Sequence, residues 1–405
     1  MIKPERRTTA DLVAAAAIAV AVVIAAAALW WTSDARATIS HPAAAPAPPI
    51  SAARAVPATL QQRWTAPSSG TREPLVVAGN VVTADGREVS GRDPATGEQR
   101  WTFARDRDLC GVTWVYDLAV AVYRDARGCG QVSTVDARTG KRGPTRTGYA
   151  DKEVTLSSDG TIVLEAGPTR VEMWRSDMVR TLAYGDIDAP LNPPVPPDPP
   201  CRFLSSAASS SAVSILKTCP DSPDVSLMML KVSDEDVAPE QRYSQSPDVA
   251  ADSGAKVLTM SDLRTAVYLP TPQPRVVVYD ENGQEAASTL LAKPVVSDAT
   301  VSRAGSYVTF WTGDAVMVFD ATSLTYRYTI SGAAAMPEGP GTVMAGKLLV
   351  PITGAIGVYD AASGTYERSI TVDRGSAIGP IRLGVAGTTV IEQRGDTVVA
   401  LGEPS

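Results

Sequence analysis

The sequence predicts an all-β fold, an eight-bladed β-propeller of four-stranded antiparallel blades with seven blades as the alternative count, preceded by one transmembrane helix. Three observations carry this reading. Helical periodicity is absent beyond residue 60, a unit of about 40 residues recurs through most of the chain from there on, and one uncharged apolar run precedes both.

The apolar run comes first. LVAAAAIAVAVVIAAAALWW, from Leu12 to Trp31, is 20 residues without a charge or a proline, and as a helix it extends about 30 Å, the thickness of a bilayer core. Lys3, Arg6 and Arg7 precede it, so the positive-inside rule places residues 1–11 in the cytoplasm and everything after Thr32 outside. Trp30 and Trp31 suit the far headgroup layer. The competing assignment is a cleaved signal peptide, because Ala35-Arg36-Ala37 has the small-x-small form a signal peptidase prefers. The run is longer than the usual apolar core of about 7–15 residues, which favours an anchor in the bacterial cell membrane. Residues 32–58 are rich in Ala and Pro and read as an extended linker holding the folded part, 59–405, away from the bilayer.

The repeat follows. VSGRDPATGEQRW (Val89 to Trp101) matches VSTVDARTGKRGP, VVVYDENGQEAAS, VMVFDATSLTYRYTI and IGVYDAASGTYERSI, each an aliphatic strand, an aspartate and a small-residue turn. Asp93, Asp136, Asp280, Asp320 and Asp360 are 43, 144, 40 and 40 residues apart, and the long interval holds two degenerate units. A period of this length with several strands per unit is a propeller signature. These aspartates are expected to accept backbone N–H bonds in tight turns, with Gly97, Gly140, Gly283 or Gly364 supplying positive φ.

The last unit, 379–402, stops before the outer strand that Arg100 and Trp101 provide in the first. The missing strand stands at the other end of the chain, as Gln62-Arg63-Trp64. Donating it to the last blade closes the ring and removes two exposed sheet edges.

On these motifs the chain resembles the quinoprotein (PQQ-like) β-propeller repeat, most sharply over Val89 to Trp101. With DLCGVTWVYD, WRSDMVRTLAYG and the Pro-rich approach to Cys201, it is also similar to actinobacterial single-pass, membrane-anchored propeller proteins of unassigned function. The repeat is shared by a propeller lipoprotein of outer-membrane protein assembly that performs no redox chemistry, which implies that it needs no cofactor.

Four cysteines in an exported domain imply two disulfides. Blade alignment puts Cys110 and Cys201 before a first strand, and Cys129 and Cys219 between a second and a third strand. In an up-and-down blade those positions share one end, so Cys110 pairs with Cys129 and Cys201 with Cys219, each closure stabilising by about 3 kcal/mol in the chain-entropy model. Stiff, stapled loops make this end the expected partner surface, with Arg105, Arg107, Asp108, Trp114, Arg175 and Arg180 as candidates.

Composition excludes several functions. The single histidine, His41, lies in the linker, so no triad hydrolase, Cys-His protease or His-ligated metal or haem site can be built in the propeller. The formal charge of −7, without a cationic face, argues against nucleic acid. The resemblance implies a PQQ-dependent dehydrogenase as the enzymatic alternative. However, the chain has no adjacent Cys-Cys, and its three asparagines, Asn80, Asn192 and Asn282, stand in no metal-ligand setting. No catalytic, cofactor-binding or metal-ligating residue is nominated. The expected function is therefore non-catalytic: a membrane-tethered docking or scaffold module in the cell envelope with a protein partner. The alternative is a small-ligand binder or sensor that uses the propeller channel.

Overall fold

The computed structural model describes residues 8–186, 201–332, 335–375 and 379–404. An apolar helix, Thr9–Trp31, exposed along its length, opens the described chain; a capping box between Thr8 and Asp11 fixes its start. It is long and apolar enough to cross a membrane. Lys3, Arg6 and Arg7 lie outside the described residues.

Eight antiparallel sheets follow. Their inner strands are Leu75–Val77, Leu109–Val115, Thr155–Ser158, Arg202–Ala208, Lys256–Ser261, Thr300–Ala304, Thr342–Met344 and Ile381–Ala386. The count of eight is thus settled against seven. Second and third strands are buried on both faces, as in Gly128–Asp136 and Lys347–Ile352, because each sheet packs on two neighbours. The apolar residues fall into eight clusters, one between each pair of adjacent blades, and the last joins Val81 of blade one to Ile391, Val398 and Ala400 of blade eight. That last cluster makes the ring continuous.

The ring closes as the missing strand demands. Gln61–Pro67 pairs antiparallel with Thr397–Gly402, with Trp64 opposite Ala400, as the outer strand of blade eight. A buried polar knot locks the seam: Thr71 Oγ1 donates to Gln393 Oε1 at 2.9 Å, and Gln393 Nε2 donates to the Ser68 carbonyl at 3.1 Å.

The repeat aspartates cap their turns. The amides of Ala95 and Thr96 donate to Asp93 Oδ1 at 2.8 and 2.9 Å, and Thr139, Asn282, Ser323 and Ser363 do the same for Asp136, Asp280, Asp320 and Asp360. Arg100 forms an ion pair with Asp93 in the first of these turns.

The Ala/Pro segment departs from the expected free linker. Ile39–His41 adds a fifth strand to blade one, Ile39 facing Ala104 and His41 facing Thr102. The chain then crosses one end of the ring. The amides of Ala43 and Ala47 donate to the carbonyls of Thr139 and Arg138, each at 2.9 Å, and Arg368 Nη2 donates to the carbonyls of Val56 and Pro57. Ala47 and Leu60 are buried. The physical reason is local. Small Ala side chains let the backbone lie close against the turns, and proline removes amides that would otherwise go unpaired there.

Candidate functional site

The ring has two ends. One carries the turns between first and second and between third and fourth strands, and the Ala/Pro strap lies across it over blades two, one, eight and seven. The other carries the second-to-third turns and the connections between blades, and both disulfides, Cys110–Cys129 and Cys201–Cys219, sit there. The Pro-rich connection leading to Cys201 lies, from 187 to 200, outside the described residues.

Of the six residues assigned to a single partner surface, three are at the disulfide end. Arg105, Arg107 and Asp108 belong to the connection from blade one to blade two. Arg87 clamps that loop, ion-paired to Asp106 and, at 2.9 Å, to Asp108. Arg105 lies over the Tyr123 ring, 5.5 Å from its centroid.

The other three are at the strap end, which corrects the single surface. Trp114 lies four residues beyond Cys110, about 13 Å along an extended strand. It lines the channel beside Gly160, where an added Cβ would stand 2.9 Å from the indole. Arg175 occupies the turn after Arg170–Trp174 and pairs with Asp177. Arg180 is bound to Asp236 at 2.6 Å and Glu172 at 3.2 Å. Sequence spacing alone did not reveal which turn each charge follows.

The closure residues are brought together with the turns they serve. Trp64 Nε1 donates to the Pro94 carbonyl and Trp101 Nε1 to the Ala137 carbonyl, in each case joining an outer strand to the next blade's aspartate turn. Arg100 also donates to Asn80 Oδ1 and the Gly79 carbonyl at 3.1 Å. Arg63 donates to the Glu403 carbonyl at 3.5 Å.

The central channel is a cavity of about 550 Å³ that sequence reasoning did not populate. Its walls mix apolar residues such as Leu75, Trp114 and Ile162 with hydroxylated ones, Thr155, Ser157, Ser206, Thr259, Ser302 and Thr342 among them. Charge enters at Arg72, Glu73, Asp159, Arg303 and Arg382. The seam knot at Thr71 sets Arg72 and Glu73 at the disulfide-end mouth. Arg382 reaches past blade seven to donate to Thr300 Oγ1, and Arg303 donates to the Met260 carbonyl at 3.0 Å. Burial pushes the Glu73 carboxyl up, opposed by the nearby Arg382. Burial also pulls the Arg382 guanidinium down; Glu73 partly offsets this and Arg72 adds to it. Asp159 is occupied in its own turn by the amides of Thr161 and Ile162.

A second charged cluster, in the wall between blades two and three, was also missed. Glu165 and Glu172 face each other across adjacent strands, both buried, with Arg170 and Arg146 paired to Glu172. Among the described residues Glu165 Oε1 has no hydrogen-bond partner, and burial, then the Glu172 charge, pushes its carboxyl well up. Glu172 is buried too, but Arg170, Arg146 and the Trp174 indole hold it below its usual range. Among the described residues no group of three or more His, Cys, Asp or Glu side chains converges as metal ligands would.

A closed ring of eight four-stranded blades defines the class: the chain is a β-propeller. Two solved structures of low identity show the same fold. BamB from Moraxella catarrhalis is 14% identical, with a TM-score of 0.50, and the match covers 85% of this chain and 100% of that one. The C-terminal WD40 domain of Sif2 is 10% identical, with a TM-score of 0.54 and coverage of 86% and 99%. No family model matches the sequence, and no curated protein matches it.

Proposed function

We propose that the chain is a non-catalytic, membrane-tethered propeller that docks a protein partner in the bacterial cell envelope. One observation carries this reading: the connection from Arg105 to Asp108, with Asp106 and Asp108 exposed, is already held in one shape, clamped by Arg87 and adjoining the Cys110–Cys129 bridge. A loop fixed in this way loses little entropy on binding, and its alternating Arg and Asp charges suit a complementary protein surface more than a nucleic acid.

In this reading the helix Thr9–Trp31 is the anchor, with its amino terminus cytoplasmic and the ring outside. Because the chain joins blade one at Ile39, only the seven residues from Thr32 to Thr38 separate helix from ring, a reach of at most about 25 Å. Ile39 pairs with Ala104, next to the clamped loop, so this loop stays close to the bilayer. The partner is accordingly a membrane protein or one held at the membrane, brought to high effective concentration by the anchor.

The test is proximity labelling from the full chain in its native membrane, comparing Asp108→Arg with Lys347→Glu at a distant blade. A partner recovered with the wild type and Lys347→Glu but lost with Asp108→Arg supports the reading. Recovery of no reproducible envelope protein, or equal recovery from both variants, overturns it.

A further inference from the structure

The channel holds an excess of positive charge. Three arginines, Arg72, Arg303 and Arg382, line it against two carboxylates, Glu73 and Asp159, an excess of one positive charge, and Asp159 is further held by the amides of its own turn. Arg72 and Glu73 make no side-chain hydrogen bond or ion pair with the described residues, although both stand at the mouth. Arg382 is half-buried and lies within range of the exposed Arg72, and an anion between two such guanidiniums is favoured.

Arginine is also the side chain whose fork matches a carboxylate or phosphate with two parallel hydrogen bonds. Below the charged mouth the walls present hydroxyls from Thr155, Ser157, Ser206, Thr259, Ser302 and Thr342, at a scale suited to a small polyhydroxylated solute.

We propose that the channel is a binding site for a small hydroxylated solute bearing an oxyanion, a phosphorylated or acidic sugar in chemical class. Arg72 and Arg382 hold the oxyanion at the disulfide-end mouth, the hydroxylated walls take the sugar, and Arg303, three residues beyond Thr300 along its strand, stands deeper in the channel toward the strap end. Glu73 is the negative group beside the anion; it limits affinity and favours ligands whose hydroxyl it can accept from. This site is separate from the clamped loop at Arg105–Asp108 and stands or falls independently of a protein partner.

The experiment is calorimetric titration of the full chain in detergent with glucose 6-phosphate, inorganic phosphate and glucose, each against sodium chloride of matched ionic strength. Glucose 6-phosphate is expected to bind saturably and more tightly than inorganic phosphate, with glucose showing no binding. Arg72→Gln should weaken glucose 6-phosphate at least tenfold, with Arg303→Gln as a second variant in the same direction. Glu73→Gln should tighten inorganic phosphate, a gain that loss of structure would not produce. The proposal is overturned if matched sodium chloride reproduces the signal, if glucose binds as well as its phosphate, if Arg72→Gln and Arg303→Gln both bind like the wild type, or if Glu73→Gln weakens phosphate.

Discussion

The Trp64 indole donates to the Pro94 carbonyl at 2.9 Å, so the strand that completes blade eight is fastened to the first aspartate turn of blade one. Its ring lies over Gly97, where an added Cβ would come within 2.5 Å of the indole. The same arrangement recurs between Trp101 and Gly140 and between Tyr328 and Gly364. It is the repeated fastening of one blade to the next.

Gly97→Ala is therefore expected to lower stability by about 1–3 kcal/mol more than Gly86→Ala, the typical cost of forcing atoms into packed space. Both glycines have positive φ, but nothing stands within 4 Å of a Cβ at Gly86. Paired chemical denaturation measures the difference, and equal losses would mean that the Trp64 contact contributes nothing.

The strap can be tested by hydrogen exchange. The amides of Ala43 and Ala47 should be protected by their bonds to blade two, and Arg368→Ala should raise exchange around Val56 without altering the inner strands. Exchange at the unprotected rate from Ala43 to Pro57 would restore the picture of a free linker.

Glu165 sets a pH dependence with a defined sign. Its folded value is raised, so the folded protein retains a proton that the unfolded chain releases. The associated stability is present below the unfolded value, near pH 4.5, and is lost as pH rises through the folded one. Glu165→Gln keeps the shape and removes the ionisation. Its melting temperature should exceed that of the wild type at pH 7, with the gain vanishing toward pH 4.

Asp320 works in the opposite sense. The Ser323 amide, then Arg327, hold its carboxyl far below the usual range, so its contribution is present above about pH 4 and is lost as pH falls toward the folded value. Asp320→Ala should cost about 1 kcal/mol at pH 7, the scale of a lost hydrogen bond. The gap from the wild type should narrow in acid, and a constant gap across the range would assign the loss to something other than the carboxylate.

Reduction offers a further check. Replacing Cys110 and Cys129 together by Ser should lower stability by about 3 kcal/mol, as expected for opening a loop of this length. Peptide mapping without reductant should recover Cys110 with Cys129 and Cys201 with Cys219.

Much of the ring was legible because its information is local. An aspartate followed by a small-residue turn marks each blade whether or not the neighbours are known, and Gln62-Arg63-Trp64 matched a strand that blade eight visibly lacked. Charges in inner strands could have signalled the channel, since Arg303 and Arg382 interrupt segments otherwise filled by small or apolar residues. The spacing of Trp114, Arg175 and Arg180 looked compatible with the disulfide end, yet a few residues of extended strand carry a side chain from one end of a blade to the other.

The sequence by itself determined the repeat, the closing strand, the cysteine pairs and the apolar helix, because each depends on residues that act within one blade or one helix. Tertiary structure decided the rest. The strap finds its seat, and the channel charges of Arg72, Glu73, Arg303 and Arg382 share one space, only once distant blades meet around a common axis, and Glu165 and Glu172, neighbours within blade three, gain Arg146 only from blade two. Composition made 32–58 look unattached because Ala and Pro have little surface to bury. The closed ring supplies turns flat enough for those small side chains to settle on.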